Sequence, residues 1–201
     1  MMRNILWKGH KLYSRLEVIF STITAIIKCR AWHVKIGSGA RVSGIFRIRT
    51  VPESQITLGD NFRADSISFD NPIGLSCPNQ IQTFTNAACI QIGNDVGMSG
   101  VVISCTERIK IGNGVLLGAN VRIFDSDFHP VNSQSRRYDR NNVCRAGIYI
   151  GDNCWIGAGS IILPGTHLKE NVVVAANAVV KGEFGPNCII AGVPAKTIKE
   201  L

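Results

Sequence analysis

The stretch DSDFHPV, residues 125–131, sets an imidazole two residues after one carboxylate and four after another. His129 is one of only four histidines in 201 residues. An imidazole titrates near neutrality, so it can take a proton from a hydroxyl and give it up again within one turnover. Asp125 and Asp127 can orient such a ring through its second nitrogen, or cap the turns of a loop. Arg136 and Arg137 follow within the same stretch and suit an anionic acceptor. A base, nearby carboxylates and cations in one stretch suit proton transfer beside an anionic ligand.

Such side chains need a rigid support, and the surrounding sequence provides one. From residue 150 the chain reads IGDNCW, IGAGSI, ILPGTH, LKENVV, VAANAV, VKGEFG, with Ile150, Ile156, Ile162, Leu168, Val174 and Val180 in phase. A period of six fits neither a helix, whose apolar positions recur at three and four, nor a long two-faced strand, which alternates at two. One short strand plus one corner, repeated, is the pattern of a parallel β-helix solenoid. The phrase returns at Ile92, Met98, Ile111 and Leu117, and more faintly at Ile36, Val42, Leu58 and Ala64. Its phase slips near 50–57, 70–90, 104–110 and 124–149, which predicts loops or bulges there. The last slip contains His129.

Residues 1–33 carry no six-residue phase. Leu12, Leu16, Ile19, Phe20, Ile23, Ile26 and Ile27 recur at three and four, which predicts an amphipathic helix. Its apolar run is interrupted by Glu17, Ser21, Thr22 and Thr24 and is too short to span a membrane. Two roles are open: a cap on the end of the solenoid, or peripheral contact with an anionic membrane through Arg3, Lys8, Lys11, Arg15, Lys28 and Arg30 around the apolar face. Residues 34–201 then form the second unit, with the loop 124–149 extruded from it.

The composition, 45% hydrophobic and 18% charged, is that of a folded protein. Seven cysteines, an odd number with no CxxC spacing and no cleavable leader before them, predict reduced thiols in the cytoplasm and no zinc site. The net charge of +8 favours an acidic partner. Basic residues are scattered, with a short cluster at Arg136, Arg137, Arg140 and Arg145, rather than forming a stripe with interleaved aromatics, so nucleic acid is not expected.

The hexapeptide pattern, the loop with its HPV histidine and the ending IIAGVPAKTIKEL together resemble the left-handed β-helix acyltransferases. Within them the chain is similar to the branch of galactoside and maltose acetyltransferases and the O-acetyltransferases of surface polysaccharides. The resemblance is strong over residues 90–201, weaker over 36–70 and absent from the N-terminal helix. It implies an all-β fold, a left-handed parallel β-helix forming a triangular prism. It further implies a homotrimer, with acetyl-CoA lying in the groove between neighbouring prisms, no metal, and an acetyl transfer to a sugar hydroxyl in surface polysaccharide synthesis.

By this resemblance His129 is the catalytic base and Asp127 its accessory. Arg136 and Arg137, by their loop position and charge, are expected to meet an anionic acceptor, with Asp125 beside them as a further acceptor contact. Ser99 and Ser104 lie about where galactoside acetyltransferases carry an acceptor-binding asparagine, a departure that speaks against a simple galactoside. Trp155 walls the pantetheine end of CoA, the amides of Ala158 and Ala176 donate near the thioester, and Lys196 and Lys199 meet the CoA phosphates. Acetylation of a xenobiotic or aminosugar, and a silent trimeric scaffold, are the competing readings. A zinc-dependent carbonic anhydrase on the same prism needs several converging histidines, and only His129 lies in a prism loop.

Overall fold

The computed structural model describes residues 2–67, 71–139 and 141–201, with residues 2–9 described by backbone alone. Arg140 and the side chains of Arg3 and Lys8 lie outside the described residues. A helix, α1 (Met2–Ala31), precedes a run of short strands in which every third strand pairs with the last. The strands therefore build three flat faces, and the chain visits them in strict rotation. The first face begins with Lys35–Ile36 and ends with Glu183–Phe184. The second runs from Arg41–Ser43 to Cys188–Gly192 and Ala195–Glu200, and the third from Phe46–Arg49 to Val179–Val180. Pairing is parallel throughout except for the last strand, which folds back antiparallel on Cys188–Gly192. This is a triangular prism of stacked coils.

The six-residue phase explains the core. Ile150, Ile156, Ile162, Leu168, Val174 and Val180 are all buried, as are Ile92, Met98, Ile111 and Leu117. In register, Leu58, Ile92, Ile111, Ile150 and Leu168 stack as one column inside the first face. Each such side chain withdrawn from water contributes about 1.5–3 kcal/mol, and the columns of all three faces meet on one axis. The corners demand glycine where coils touch. A Cβ on Gly93 would lie 2.7 Å from the backbone of Gly112 in the next coil. Other corners use asparagine in the left-handed region, and Asn153, Asn171 and Asn187 form a side-chain ladder along one edge.

Two of the predicted slips are smaller than loops. Residues 50–57 and 104–110 hold corners flanked by the strands Gln55–Leu58 and Arg108–Ile111, where extra corner residues shift the phase without expelling the chain. In 70–90 the strands Asn79–Thr83 and Cys89–Ile92 fill the second half, while no strand lies between Asp65 and Asn79 among the described residues, so the first half is a loop as expected. The region between Phe124 and Ile148 is the longer excursion.

The helix sits on the first coil, but with the face opposite to the one its leucines and isoleucines define. Ala25 and Cys29 are buried there, with Ser21 and the half-buried Thr22. The Val42 amide donates to Thr22 Oγ1 at 2.9 Å, the Gly44 amide to Glu17 Oε1 at 2.6 Å, and Lys28 Nζ to the Phe46 carbonyl at 3.3 Å. Small and polar side chains let the helix approach the strand edges and satisfy their backbone groups. Leu12, Leu16, Ile19, Phe20, Ile23 and Ile27 are left 52–69% exposed on the outer side.

Candidate active site

The excursion 125–147 leaves the prism at the edge between the third and first faces. Its two ends are tied together: the Asp127 amide donates to the Cys144 carbonyl at 3.0 Å, the Ala146 amide to the Asp125 carbonyl at 3.0 Å, and Ser126 bridges Arg145. Asp125 anchors this base. Its carboxylate is fully buried and accepts from the amides of Thr106, Glu107 and Arg108 at 2.6, 2.8 and 2.9 Å, from Thr106 Oγ1 at 2.8 Å and from Cys105 Sγ at 3.3 Å. An acceptor cannot reach it, so Asp125 is an anchor of the loop and not a substrate contact. The signal was its parity: Asp125 follows the buried Ile123 by two, the inward spacing of a strand.

His129 is exposed at the tip of the next turn. Phe128 holds it there from the left-handed region, at φ 58°, with its ring edge-on to Phe84 at 5.4 Å and tilted on Phe124 at 6.3 Å. A bulky side chain in that region is strained and persists where its surroundings over-determine it. The Asp127–His129 link is a backbone bond, His129 N to Asp127 O at 2.7 Å, and the carboxylate of Asp127 makes no hydrogen bond to the ring among the described residues. Arg136 is engaged inside the loop: Nε donates to the Pro130 carbonyl at 3.1 Å and Nη2 to that of Val131 at 2.8 Å. It braces the residues that follow His129, which corrects its expected place on the acceptor. Arg137 lies over the Tyr138 ring, 5.6 Å from its centroid.

The donor-side residues gather elsewhere. Trp155 stands out from the second face, 56% exposed. In register beyond it come Val173, Ile189 and Lys199, with Lys196 on the same final strand. Ala158 and Ala176 sit one above the other at the corner of the second and third faces. At the preceding corner of the prism a side-chain ladder takes up the equivalent amides of other coils: Asp60 N donates to Asn94 Oδ1, Asn94 N to Asn113 Oδ1 and Asn113 N to Asp152 Oδ1, at 2.7–2.9 Å. Alanine offers no such acceptor. Among the described residues the amides of Ala158 and Ala176 are therefore unpartnered. Ser99 is half-buried at the end of strand Gly97–Ser99, and Ser104 is buried, accepting from Gln82 Nε2 at 3.0 Å.

In a triangular prism the edge between the third and first faces lies opposite the second face. One chain thus displays His129 and Trp155 on opposite sides. The remaining histidines are apart from both, with His167 edge-on to Tyr149 at 4.4 Å on the first face.

The bacterial transferase hexapeptide (six repeats) family matches residues 147–182. Over those residues the chain is similar to the hexapeptide-repeat transferases. Its prism is a left-handed parallel β-helix. An Escherichia coli (strain K12) relative described as a lipopolysaccharide biosynthesis O-acetyl transferase is 36% identical over 106 residues, 50% of this chain and 54% of the relative. The galactoside O-acetyltransferase of the same organism is 34% identical over 119 residues, 59% and 57% of the two chains. A solved galactoside acetyltransferase in complex with coenzyme A shares 25% identity, covers 83% of this chain and 64% of its own, and superposes with a TM-score of 0.52. This hexapeptide-repeat chain spans about half the length of the curated relatives it matches. No helix among its described residues is long and apolar enough to cross a membrane.

Proposed function

We propose that the protein transfers an acetyl group from acetyl-CoA to a sugar hydroxyl, in the assembly of a surface polysaccharide. The observation that carries this is the free pair of amides at Ala158 and Ala176 beside the exposed Trp155, together with a loop built to present His129. The imidazole of His129 accepts the hydroxyl proton as the oxygen attacks the thioester carbonyl. The oxyanion that forms is held by backbone N–H donors, the carbon–sulfur bond breaks, and the proton passes from His129 to the departing CoA thiolate. Relatives described as O-acetyltransferases, and a neighbour with coenzyme A bound, support the choice of donor and of a sugar acceptor.

Because His129 and Trp155 face away from each other in one chain, the reaction needs a second copy. A cyclic trimer, in which the loop edge of each prism meets the second face of the next, brings one of each to every site. Lys196 and Lys199 extend the donor side toward the CoA phosphates, and Asp127 lies close enough in the chain to steady the loop around the base. Incubation with acetyl-CoA and a panel of saccharides tests the reading by release of CoA thiol. His129→Ala lowers the rate by about 10²–10⁴; product formed at the wild-type rate by this variant would remove the base assignment.

We further infer that the protein works at the cytoplasmic face of a membrane. Residues 1–67 hold eleven lysines and arginines against four acids, whereas residues 68–201 hold eleven against ten. The positive charge is thus polarised to the helix end of the prism. There the outer ridge of α1 offers apolar side chains, with Arg15, Arg30, Arg47 and Arg49 exposed around it. An apolar ridge within a basic collar suits an anionic lipid surface.

A further inference from the structure

Along the second face the outward residues Arg41, Arg63, Gly97, Leu116 and Trp155 lie in register, one per strand. Gly97 interrupts that row of side chains. Its φ is not in the left-handed region, and a Cβ built on it meets only Leu116 Cδ2, at 3.4 Å, an ordinary contact. The corner glycines are different: a Cβ on Gly112 or Gly157 would fall 2.2 or 2.6 Å from atoms of the next coil. Neither backbone nor packing calls for glycine at 97, and glycine weakens a strand. What it provides is space.

The gap forms part of a groove of about 330 Å³, lined also by Val18 of α1 and by Ser99, with Trp155 at one end and Arg41 and Arg63 at the other. That volume lies within the range of small-ligand sites. Trp155 and Arg63 are three strand spacings apart, roughly 14 Å. Arg41 and Arg63 stand directly opposite one another on adjacent strands, where like charges repel. Among the described residues neither guanidinium has an ion pair or hydrogen bond. The nearby Asp65 turns its carboxylate to Ser43 Oγ at 2.7 Å and the Ile67 amide at 3.1 Å. Two forked cations without a partner among the described residues, at one end of a groove, match a doubly charged oxyanion.

We propose that this groove binds the acceptor, and that the acceptor is a saccharide carrying a phosphate or diphosphate. Arg41 and Arg63 grip the anion, the sugar ring lies over Gly97, and the hydroxyl to be acetylated points toward Trp155. This rests on the acetyl-transfer reading above. It also moves recognition of an anionic acceptor from the His129 loop, where Arg136 is already engaged, to the face that meets the neighbouring prism.

Titration calorimetry on the full chain with CoA saturating, so that the CoA phosphate contacts are filled, tests it with inorganic pyrophosphate as the probe. Pyrophosphate is expected to bind, and Arg41→Ala with Arg63→Ala to weaken it at least tenfold, while Lys196→Ala with Lys199→Ala leaves it unchanged. Gly97→Val should keep or raise Tm, since a β-branched side chain suits a strand, yet weaken binding of UDP-glucose at least tenfold. Pyrophosphate binding undiminished by loss of both arginines, or UDP-glucose binding undiminished in Gly97→Val, would overturn the proposal. UDP-glucose against a polyprenyl-diphosphate glucose in detergent separates a nucleotide-linked from a lipid-linked source, and tighter binding of either over methyl glucoside supports the site. Pyrophosphate binding without any acetyl transfer would count against the acetyl-transfer reading alone. Transfer to neutral glycosides that is indifferent to both arginines would count against this inference alone.

Discussion

Asp125 and Thr106 are joined twice: the buried carboxylate takes the Thr106 amide at 2.6 Å and its hydroxyl at 2.8 Å, one coil away across the third face. Through this joint the loop carrying His129 is fastened to the corner 105–108. Asp125→Ala leaves the amides of Thr106, Glu107 and Arg108 without their acceptor inside the protein, and a destabilisation of about 3–5 kcal/mol is expected from urea unfolding. Asp125→Asn, which replaces an acceptor by a donor on one side, should fall between. A loss below ~1 kcal/mol for Asp125→Ala would show that the corner finds other partners.

Opposed placement of His129 and Trp155 predicts complementation between defective subunits. His129→Ala and Trp155→Ala are each expected to be nearly inactive. Mixed, dissociated and reassembled as trimers, they should recover roughly a quarter of wild-type activity, because one site in four then draws both intact residues from adjacent chains. Light scattering of the mixture checks the trimer, and no recovery from a verified mixed trimer would place both residues in one chain's site.

Arg136 and Arg137 should separate cleanly. Arg136→Ala removes two bonds to the carbonyls after His129 and is expected to lower kcat about tenfold with the acceptor KM unchanged, since the base is misplaced and not the substrate. Arg137→Ala, stacked on an exposed tyrosine, should leave both constants within about twofold. A raised acceptor KM in Arg136→Ala would return that residue to the acceptor.

The outer ridge of α1 predicts lipid-dependent partitioning. The protein should sediment with vesicles containing phosphatidylglycerol, far less with pure phosphatidylcholine, and should be released by salt as screening shortens to ~3 Å at 1 M. Phe20→Ser with Ile23→Ser should abolish sedimentation, and each of Arg47→Gln and Arg49→Gln should weaken it about fivefold, the equivalent of ~1 kcal/mol. Equal binding to neutral vesicles would refute the charge argument; a ridge that instead joins two copies would reveal itself as self-association lost with the serine substitutions.

Thiol chemistry reads the burial of the core. Cys144, at the base of the loop, is exposed, whereas Cys29, Cys105, Cys154 and Cys188 are buried. Burial pushes the Cys29 thiol up to about 11 and raises Cys154; Cys105 is raised by burial and then by the Asp125 carboxylate. These groups stay protonated at pH 8, where an unperturbed thiol near 8.5 is partly thiolate. Maleimide should label Cys144 first in the native protein and reach Cys29, Cys105 and Cys154 only on unfolding. Rapid native labelling of Cys105, followed by peptide mass mapping, would contradict its place in the core.

The repeat was legible from the sequence because every coil makes the same local bargain between one inward aliphatic residue and one tight corner, so Ile150, Ile156, Ile162 and their counterparts announce the prism by spacing alone. His129 was legible for the same reason, as a departure from that spacing. The roles of its neighbours were not. Asp125 and Arg136 look like site residues in a linear reading, and only folding shows that one faces inward to anchor a corner and the other turns back on its own loop. The helix shows the same limit: its period marks an apolar face, but which face meets the prism depends on strand edges that need small, polar partners. The groove at Gly97 joins residues 41, 63, 97 and 155, far apart in the chain and brought into one row by stacking. Local sequence determines what each coil can be, whereas the register between coils, a tertiary property, decides which side chains share a surface.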